Sequence, residues 1–299
     1  MKLTRKILLI CFIGLSLLLT GCSTEQSVVD REGNEVVIPK KLERIISTAP
    51  SNTEVLTGLG LGDNIVAIDN YSPTEGLNED VVVIDFRNPD AETIIALNPD
   101  IIIASGHNKA GGEDPFKVIK EAGIAVVYLP SSPSFEDIYK DIEFLSGIFG
   151  EEKAGNKLID GMKEEIQAIK DIAATITEKK KVYFEISPAP YIYTTGSNTF
   201  QNQMIEVIGA TNIFAGEEGW VAASEEAIVS QNPDVILTNV GYVDNPTDEI
   251  LAREGWKEIN AVKDNHVYLI DSNSSSRPSQ NIIKALKEMA KAVYPEYYE

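Results

Sequence analysis

The sequence predicts an α/β protein made of two similar lobes with largely parallel sheets, joined by one long rigid helix and enclosing a ligand cleft. Three observations carry that prediction. Short runs of β-branched residues recur without alternation, the pattern of strands buried on both faces of a parallel sheet, and helical patterns separate them. One much longer helical stretch, 151–178, divides these runs into two sets. Finally, Glu92-Thr-Ile-Ile-Ala-Leu-Asn-Pro-Asp100-Ile-Ile-Ile-Ala104 has a counterpart in Glu226-Ala-Ile-Val-Ser-Gln-Asn-Pro-Asp234-Val-Ile-Leu-Thr238. Each reads as a helix ended by Asn-Pro-Asp, because proline disfavours helix in the residue before it, and then a strand.

Residues 22–40 read as a tether and a small hairpin, turning through Arg31-Glu32-Gly33-Asn34 and closed by Pro39. The N-terminal lobe spans 41–150. Its strands are expected at 44–47, 65–68, 81–84, 101–104 and 126–128, with helices at 52–59, 91–97 and 116–122 and a longer one at 135–149. In the connector, Ile159, Met162, Ile166, Ile169 and Ile172 recur at three and four residues, an apolar stripe that reaches roughly 35–40 Å at about 1.5 Å per residue. The C-terminal lobe, 179–299, repeats the alternation with strands at 182–186, 235–238 and 267–270 and a last helix at 279–293. A weaker echo pairs Ser51-Asn-Thr-Glu54 with Ser197-Asn-Thr-Phe200, where the serine or asparagine is expected to cap the following helix.

Of the 299 residues, 46 are acidic and 26 basic, a formal charge of -20 that argues against a nucleic-acid partner. Lys2, Arg5 and Lys6 precede an apolar run over 7–19, the layout of an export signal too short to be a stable span. That run ends in Leu19-Thr20-Gly21-Cys22 and a polar stretch, which resembles a bacterial lipoprotein signal. The resemblance implies a signal peptide over 1–21, removal of Cys11 with it, and lipid on Cys22. A body with no other cysteine has no thiol nucleophile, disulfide or cysteine metal site. The remainder is more acidic still, so lipid rather than charge is expected to hold it at the outer face of the cytoplasmic membrane.

Ile45-Ile-Ser-Thr-Ala-Pro-Ser-Asn-Thr-Glu54, Leu59-Gly-Leu-Gly-Asp-Asn-Ile-Val66, the two Asn-Pro-Asp junctions and the connector together resemble the substrate-binding lipoproteins of ABC importers for metal chelates. The resemblance implies a monomeric carrier, with no cofactor of its own, that passes a siderophore, haem or cobalamin to a permease dimer driven by a cytoplasmic ATPase. Within the family, Gln201-Asn-Gln-Met-Ile-Glu-Val-Ile-Gly209, Asn212-Ile-Phe214 and Trp220 with Ser224-Glu-Glu226 are most similar to the cobalamin binder. That likeness implies Tyr71, Phe86 and Trp220 as corrinoid contacts, and Tyr242 joins them as a candidate. Ser272-Asn-Ser-Ser-Ser276 departs from the relative's aromatic and acidic lower rim.

Glu92 and Glu226 each begin a helix, where exposed N–H groups favour a carboxylate. The family resemblance implies that they also meet arginines on the two permease subunits. Haem or a ferric siderophore is the competing ligand. His107, at a strand end, is the candidate haem contact, and Arg87 and Lys109 are candidate partners for an anionic siderophore. No His-x-x-x-His spacing or Gly-x-Ser-x-Gly elbow is present, so neither a protein-held metal nor an enzyme is expected. An extracytoplasmic hydrolase and an adhesin are the alternatives from other classes.

Overall fold

The computed structural model describes residues 25–109, 112 and 114–298; the expected leader and Cys22 lie outside the described residues. Strands β1 (Glu25–Val29) and β2 (Glu35–Pro39) form the antiparallel hairpin. The N-terminal lobe then runs β3 (Ile45–Ser47), α1 (Pro50–Gly58), β4 (Ile65–Asp69), β5 (Val82–Ile84), α2 (Ala91–Ala96), β6 (Ile101–Ser105), α3 (Lys117–Glu121) and β7 (Ala125–Leu129). Its five strands are all parallel in the order β5-β4-β3-β6-β7. The hairpin is tied to β7, with Asp30 accepting the Tyr128 N–H at 2.9 Å and Arg31 donating to the Tyr128 carbonyl at 3.2 Å.

Helices α4 (Phe135–Phe149) and α5 (Glu152–Ala173) lead to the C-terminal lobe. There the order is β8 (Lys181–Ser187), β9 (Tyr193–Thr195), α6 (Phe200–Val207), β10 (Thr211–Asn212), β11 (Trp220–Ala222), α7 (Glu225–Gln231), β12 (Val235–Thr238), α8 (Pro246–Leu251), α9 (Asn260–Lys263), β13 (Val267–Leu269), α10 (Ser272–Ser276) and α11 (Ile282–Val293). β8 pairs in parallel with β12 and β10, and β13 extends the sheet beyond β12. β9 and β11 add an antiparallel ribbon at the other edge.

The repeated Asn-Pro-Asp segments do the same job twice. Asn98 and Asn232 both take the left-handed conformation at φ 47°, which turns the chain out of α2 and α7. Asp100 then accepts the N–H groups of Glu43 and Arg44 at 2.8 and 2.9 Å, and Asp234 accepts that of Lys181 at 2.9 Å, so each junction holds the start of its lobe's central strand. Arg44 and Lys181 answer by donating to the last carbonyls of α2 and α7. The expected serine or asparagine caps need correction. α1 starts earlier, with Pro50 at its first position and no side-chain cap, and α6 is capped by Thr199, which accepts from Asn202 N–H at 3.1 Å.

The connector buries Ile159, Met162, Ile166 and Ile169, while Ile172 is half-buried. These side chains pack into one apolar core that includes Ile45, Ile65 and Val127 of the first sheet and Val182, Phe184 and Val235 of the second. Because the lobes share this core, they are built to move little relative to each other. Gly150 closes α4 at φ +72°, and a Cβ on Gly155 would stand 2.3 Å from the Ser146 hydroxyl, so the two helices meet only because that residue is glycine. Among the described residues no helix is long and apolar enough to cross a membrane.

At the start of α4, Ser134 accepts the Asp137 N–H at 3.1 Å and donates back to the Asp137 carboxylate at 2.5 Å. This hydroxyl, opposed by partial burial and aided by Lys140 and Arg31, holds Asp137 below its ordinary carboxyl range. The folded state therefore binds fewer protons than the unfolded chain between the two values. The stability is present above about pH 4 and is lost as pH falls through the lower folded value. Asp137→Asn is expected to cost about 1 kcal/mol or less at pH 7. In thermal melts that gap should narrow as pH falls below about 4; a gap of constant size would refute the assignment.

Candidate functional site

The carboxyl ends of the parallel strands, where side chains leave the sheet and helices begin, are the natural place for a ligand. A cleft of about 480 Å³ lies there between the lobes. The N-terminal lobe lines it with Thr48 and Ser51 beyond β3, Tyr71 beyond β4, Phe86 and Arg87 beyond β5, Ser105 and His107 at β6 and Ser131 beyond β7. The C-terminal lobe contributes Ser272, Asn273 and Ser276 of α10, then Arg277 and Pro278.

Each wall is fixed from beneath. Asp69, buried, accepts the Tyr71 N–H at 2.8 Å and the Ser72 hydroxyl, setting the turn that presents Tyr71. Buried Asn108 accepts from the Thr48 hydroxyl at 2.8 Å and the Ser105 N–H at 2.6 Å. It also donates to the Phe86 carbonyl at 3.1 Å, joining three strand ends. The Tyr71 and Phe86 rings meet edge to face, 6.0 Å apart at 70°, a favourable quadrupole arrangement that forms a rigid apolar corner.

Although the chain is strongly acidic, no carboxylate lines the cleft among the described residues. Its cations are not equivalent. Arg277 is spent on Glu54 at 2.8 Å and on the Tyr71 carbonyl at 2.9 Å. Lys109, expected as an anion partner, is instead paired with Glu32 at 2.5 Å and lies 3.6 Å over the Tyr128 ring. Arg87 stacks 5.3 Å from the Phe86 centroid and forms no ion pair among the described residues. The His107 imidazole is exposed and makes no hydrogen bond among the described residues.

Of the candidate contacts, the structure thus brings together Tyr71, Phe86 and His107. Trp220 and Tyr242 stand outside this lining. Trp220 begins β11 opposite Thr195 and is 54% exposed; Tyr242, on the loop after β12, is 74% exposed. Glu92 and Glu226 both occupy the second position of their helices, are exposed, and accept no hydrogen bond or ion pair among the described residues. The stretch 272–276, set at the lower rim by resemblance, forms the Ser-rich helix α10 and supplies three residues of the cleft wall, whereas the Glu54–Arg277 pair across the lobes escapes sequence reasoning. The only signal for the pair is the Arg277-Pro-Ser-Gln280 run directly after the serines.

No three metal-ligating side chains cluster among the described residues. The only hydrogen bond that relates His107 to a serine joins its backbone N–H to Ser105 at 3.3 Å, which is not a nucleophile–base pair. The arrangement can enclose a ligand with one flat apolar face and a polar fringe.

The profile of the family described as periplasmic binding protein matches residues 45–274. The chain belongs to the periplasmic binding protein family. It is 36% identical over 275 residues to an uncharacterised ABC transporter substrate-binding lipoprotein of Bacillus subtilis, covering 91% of this chain and 87% of that one. It is 30% identical over 252 residues to the vitamin B12-binding protein of Vibrio parahaemolyticus, covering 83% and 88%. Among solved structures, a possible iron-binding periplasmic solute-binding protein of Staphylococcus epidermidis is 32% identical with a TM-score of 0.77, over 85% of this chain and 99% of that one. Membership makes this protein an extracytoplasmic, lipoprotein-type substrate-binding component of an ABC importer, and a carrier rather than an enzyme.

Proposed function

We propose that the protein captures a metal chelate in the interlobe cleft, a corrinoid of the cobalamin type, and delivers it to a permease dimer through Glu92 and Glu226. The observation that carries this reading is the pairing of one aromatic corner, Tyr71 and Phe86, with a floor of hydroxyls and an amide beside a single unpaired arginine, Arg87. A corrinoid offers apolar macrocycle area, a fringe of neutral amides and one phosphodiester. Hydroxyls satisfy the amides, and one guanidinium suits one phosphate. A polyanionic siderophore calls for several free cations, and here Lys109 and Arg277 are already paired. The 30% identity to a vitamin B12-binding protein supports the same choice.

One observation favours haem as the second reading: the His107 imidazole on the cleft wall has no hydrogen-bond partner among the described residues and is free to ligate iron. Ferric siderophore capture is the third, and the iron-named relative supports it. Calorimetric titration with cobalamin, cobinamide, haem and several ferric siderophores separates the three. Calorimetry is the better reporter, because Trp256 is fully buried and Trp220 lies outside the cleft lining. Micromolar or tighter corrinoid binding is expected, with a loss of about 10- to 100-fold in Tyr71→Ala as its contact area goes. Haem binding with a Soret shift that vanishes in His107→Ala, and no corrinoid binding, would overturn the first choice.

A further inference from the structure

A second concavity lies beside Glu226. It is a groove of about 850 Å³, walled by the β8–β9 connection at Ala189 and Pro190, by the first turns of α7, and by the Glu254-Gly255-Trp256 turn after α8. Its floor is apolar, with Ile192 and Trp256 buried and Val229 half-buried. Its rim is acidic and no basic residue lines it. Glu225 is held in the wall by the Trp256 indole N–H, which donates to it at 2.9 Å. Glu226 and Glu254 are exposed and unpartnered among the described residues.

The lobe repeat makes Glu92 the counterpart of Glu226, but the wall of the groove has no equivalent element in the N-terminal lobe. In the N-terminal lobe β3 passes through Thr48 and Ala49 straight into α1. In the C-terminal lobe β8 first makes the excursion to β9, and that excursion supplies the wall formed by Ala189, Pro190 and Ile192. Two related and exposed carboxylates therefore stand in different surroundings: the excursion that walls the apolar trench beside Glu226 is missing from the lobe that carries Glu92.

We propose that this groove receives a permease loop presenting a cation next to an apolar side chain, so that docking is asymmetric and weighted toward the C-terminal lobe. This rests on the delivery reading above. An apolar floor at the foot of two free carboxylates asks for a partner that covers the first and neutralises the second, and the acidic rim repels an anionic lipid headgroup. An ion pair formed at the lip of a groove that the partner seals is less screened than one formed at Glu92, where solvent-exposed pairs contribute little.

The test uses the lipidated full chain with its own permease and ATPase in nanodiscs, measuring the docking affinity. Glu226→Lys should weaken docking by about 30-fold or more, Glu254→Lys and the groove-filling Ser230→Trp by about 10-fold, and Glu92→Lys by only about threefold. Melting and chelate affinity of each variant serve as fold controls, and Glu254→Gln repeats the rim test where Ser230→Trp disturbs folding. Equal losses at Glu92 and Glu226, with Glu254→Lys, Glu254→Gln and Ser230→Trp neutral, would overturn the groove and leave two-point docking standing. No loss in any charge variant would sink docking itself. A change in sedimentation of the isolated protein caused by the groove variants would put a second copy of the chain in the trench, against the proposal.

Discussion

Replacing Arg253 with methionine is expected to lower the unfolding free energy by roughly 3–5 kcal/mol, because it strands a buried carboxylate. Glu185, on the central strand β8, is 1% exposed. Arg253 donates to both of its oxygens, at 2.6 and 2.8 Å, and to both oxygens of Glu249, at 3.0 and 2.6 Å. Its guanidinium also lies 4.6 Å from the Trp256 ring centroid. Burial works against the arginine's charge, but the two carboxylates outweigh it and hold Arg253 above its ordinary range. Burial, followed by the Glu185 charge, likewise pushes the neighbouring Tyr183 hydroxyl well up.

The double variant Glu185→Leu with Arg253→Met, which leaves no orphaned charge, should recover most of the loss. Urea unfolding of the four members of the cycle at neutral pH checks this. A single variant within about 0.5 kcal/mol of the parent, the ordinary range for a surface substitution, would show that the pair is dispensable.

The parts of this molecule that were legible in the sequence are those whose physics is local. β3, β6 and β12 are buried on both faces, so Ile45-Ile46, Ile101-Ile102-Ile103 and Val235-Ile236-Leu237 announce strands without alternation. The connector's three-and-four spacing gave away which side of α5 is buried. The ribbon β9–β11 was not legible. Its two strands are each three residues long at an edge, and Tyr193 and Trp220 stay exposed, so no apolar run marks them. That ribbon also explains why Trp220, implied as a contact by resemblance, lies outside the cleft lining: β11 opens with Trp220 paired to Thr195, whereas Phe86 lies beyond the end of β5. The strand-end logic that points to His107 holds only where the strand is parallel and points at the cleft, as it also does for Tyr71, which the resemblance implies. Arg277 was illegible for a different reason, since its partner Glu54 is 223 residues away in the chain.

Cutting that long-range contact is the second change expected to have a large effect, and it acts on both stability and selectivity. Glu54, on α1, is 6% exposed. It accepts from Arg277 at 2.8 Å on one oxygen and from the Ser279 hydroxyl on the other, while its backbone carbonyl accepts from Gln280 at 2.7 Å. One residue of the N-terminal lobe thus gathers three partners from the C-terminal one, two on its carboxylate and one on its backbone carbonyl. The same guanidinium donates to the Tyr71 carbonyl at 2.9 Å, so the tie between the lobes also steadies the aromatic corner. Glu54→Ala should cost roughly 3–5 kcal/mol, the range for losing one partner of a buried pair.

Its effect on binding has a direction that a simple loss of fold would not produce. The freed Arg277 becomes a second unpaired cation beside Arg87 in a cleft that no carboxylate lines among the described residues, so affinity should fall about 10-fold for an amide-fringed corrinoid and rise relative to it for anionic chelates. Arg277→Ala removes the tie and the cation together, and should lose stability and corrinoid affinity with no gain toward anions. Urea unfolding with parallel calorimetric titrations of cobalamin and a carboxylate siderophore reads both outcomes. Identical ligand rankings in Glu54→Ala and Arg277→Ala would mean that the pair only braces the lobes. Opposite rankings would mean that Glu54, without touching the ligand, sets the charge the cleft accepts.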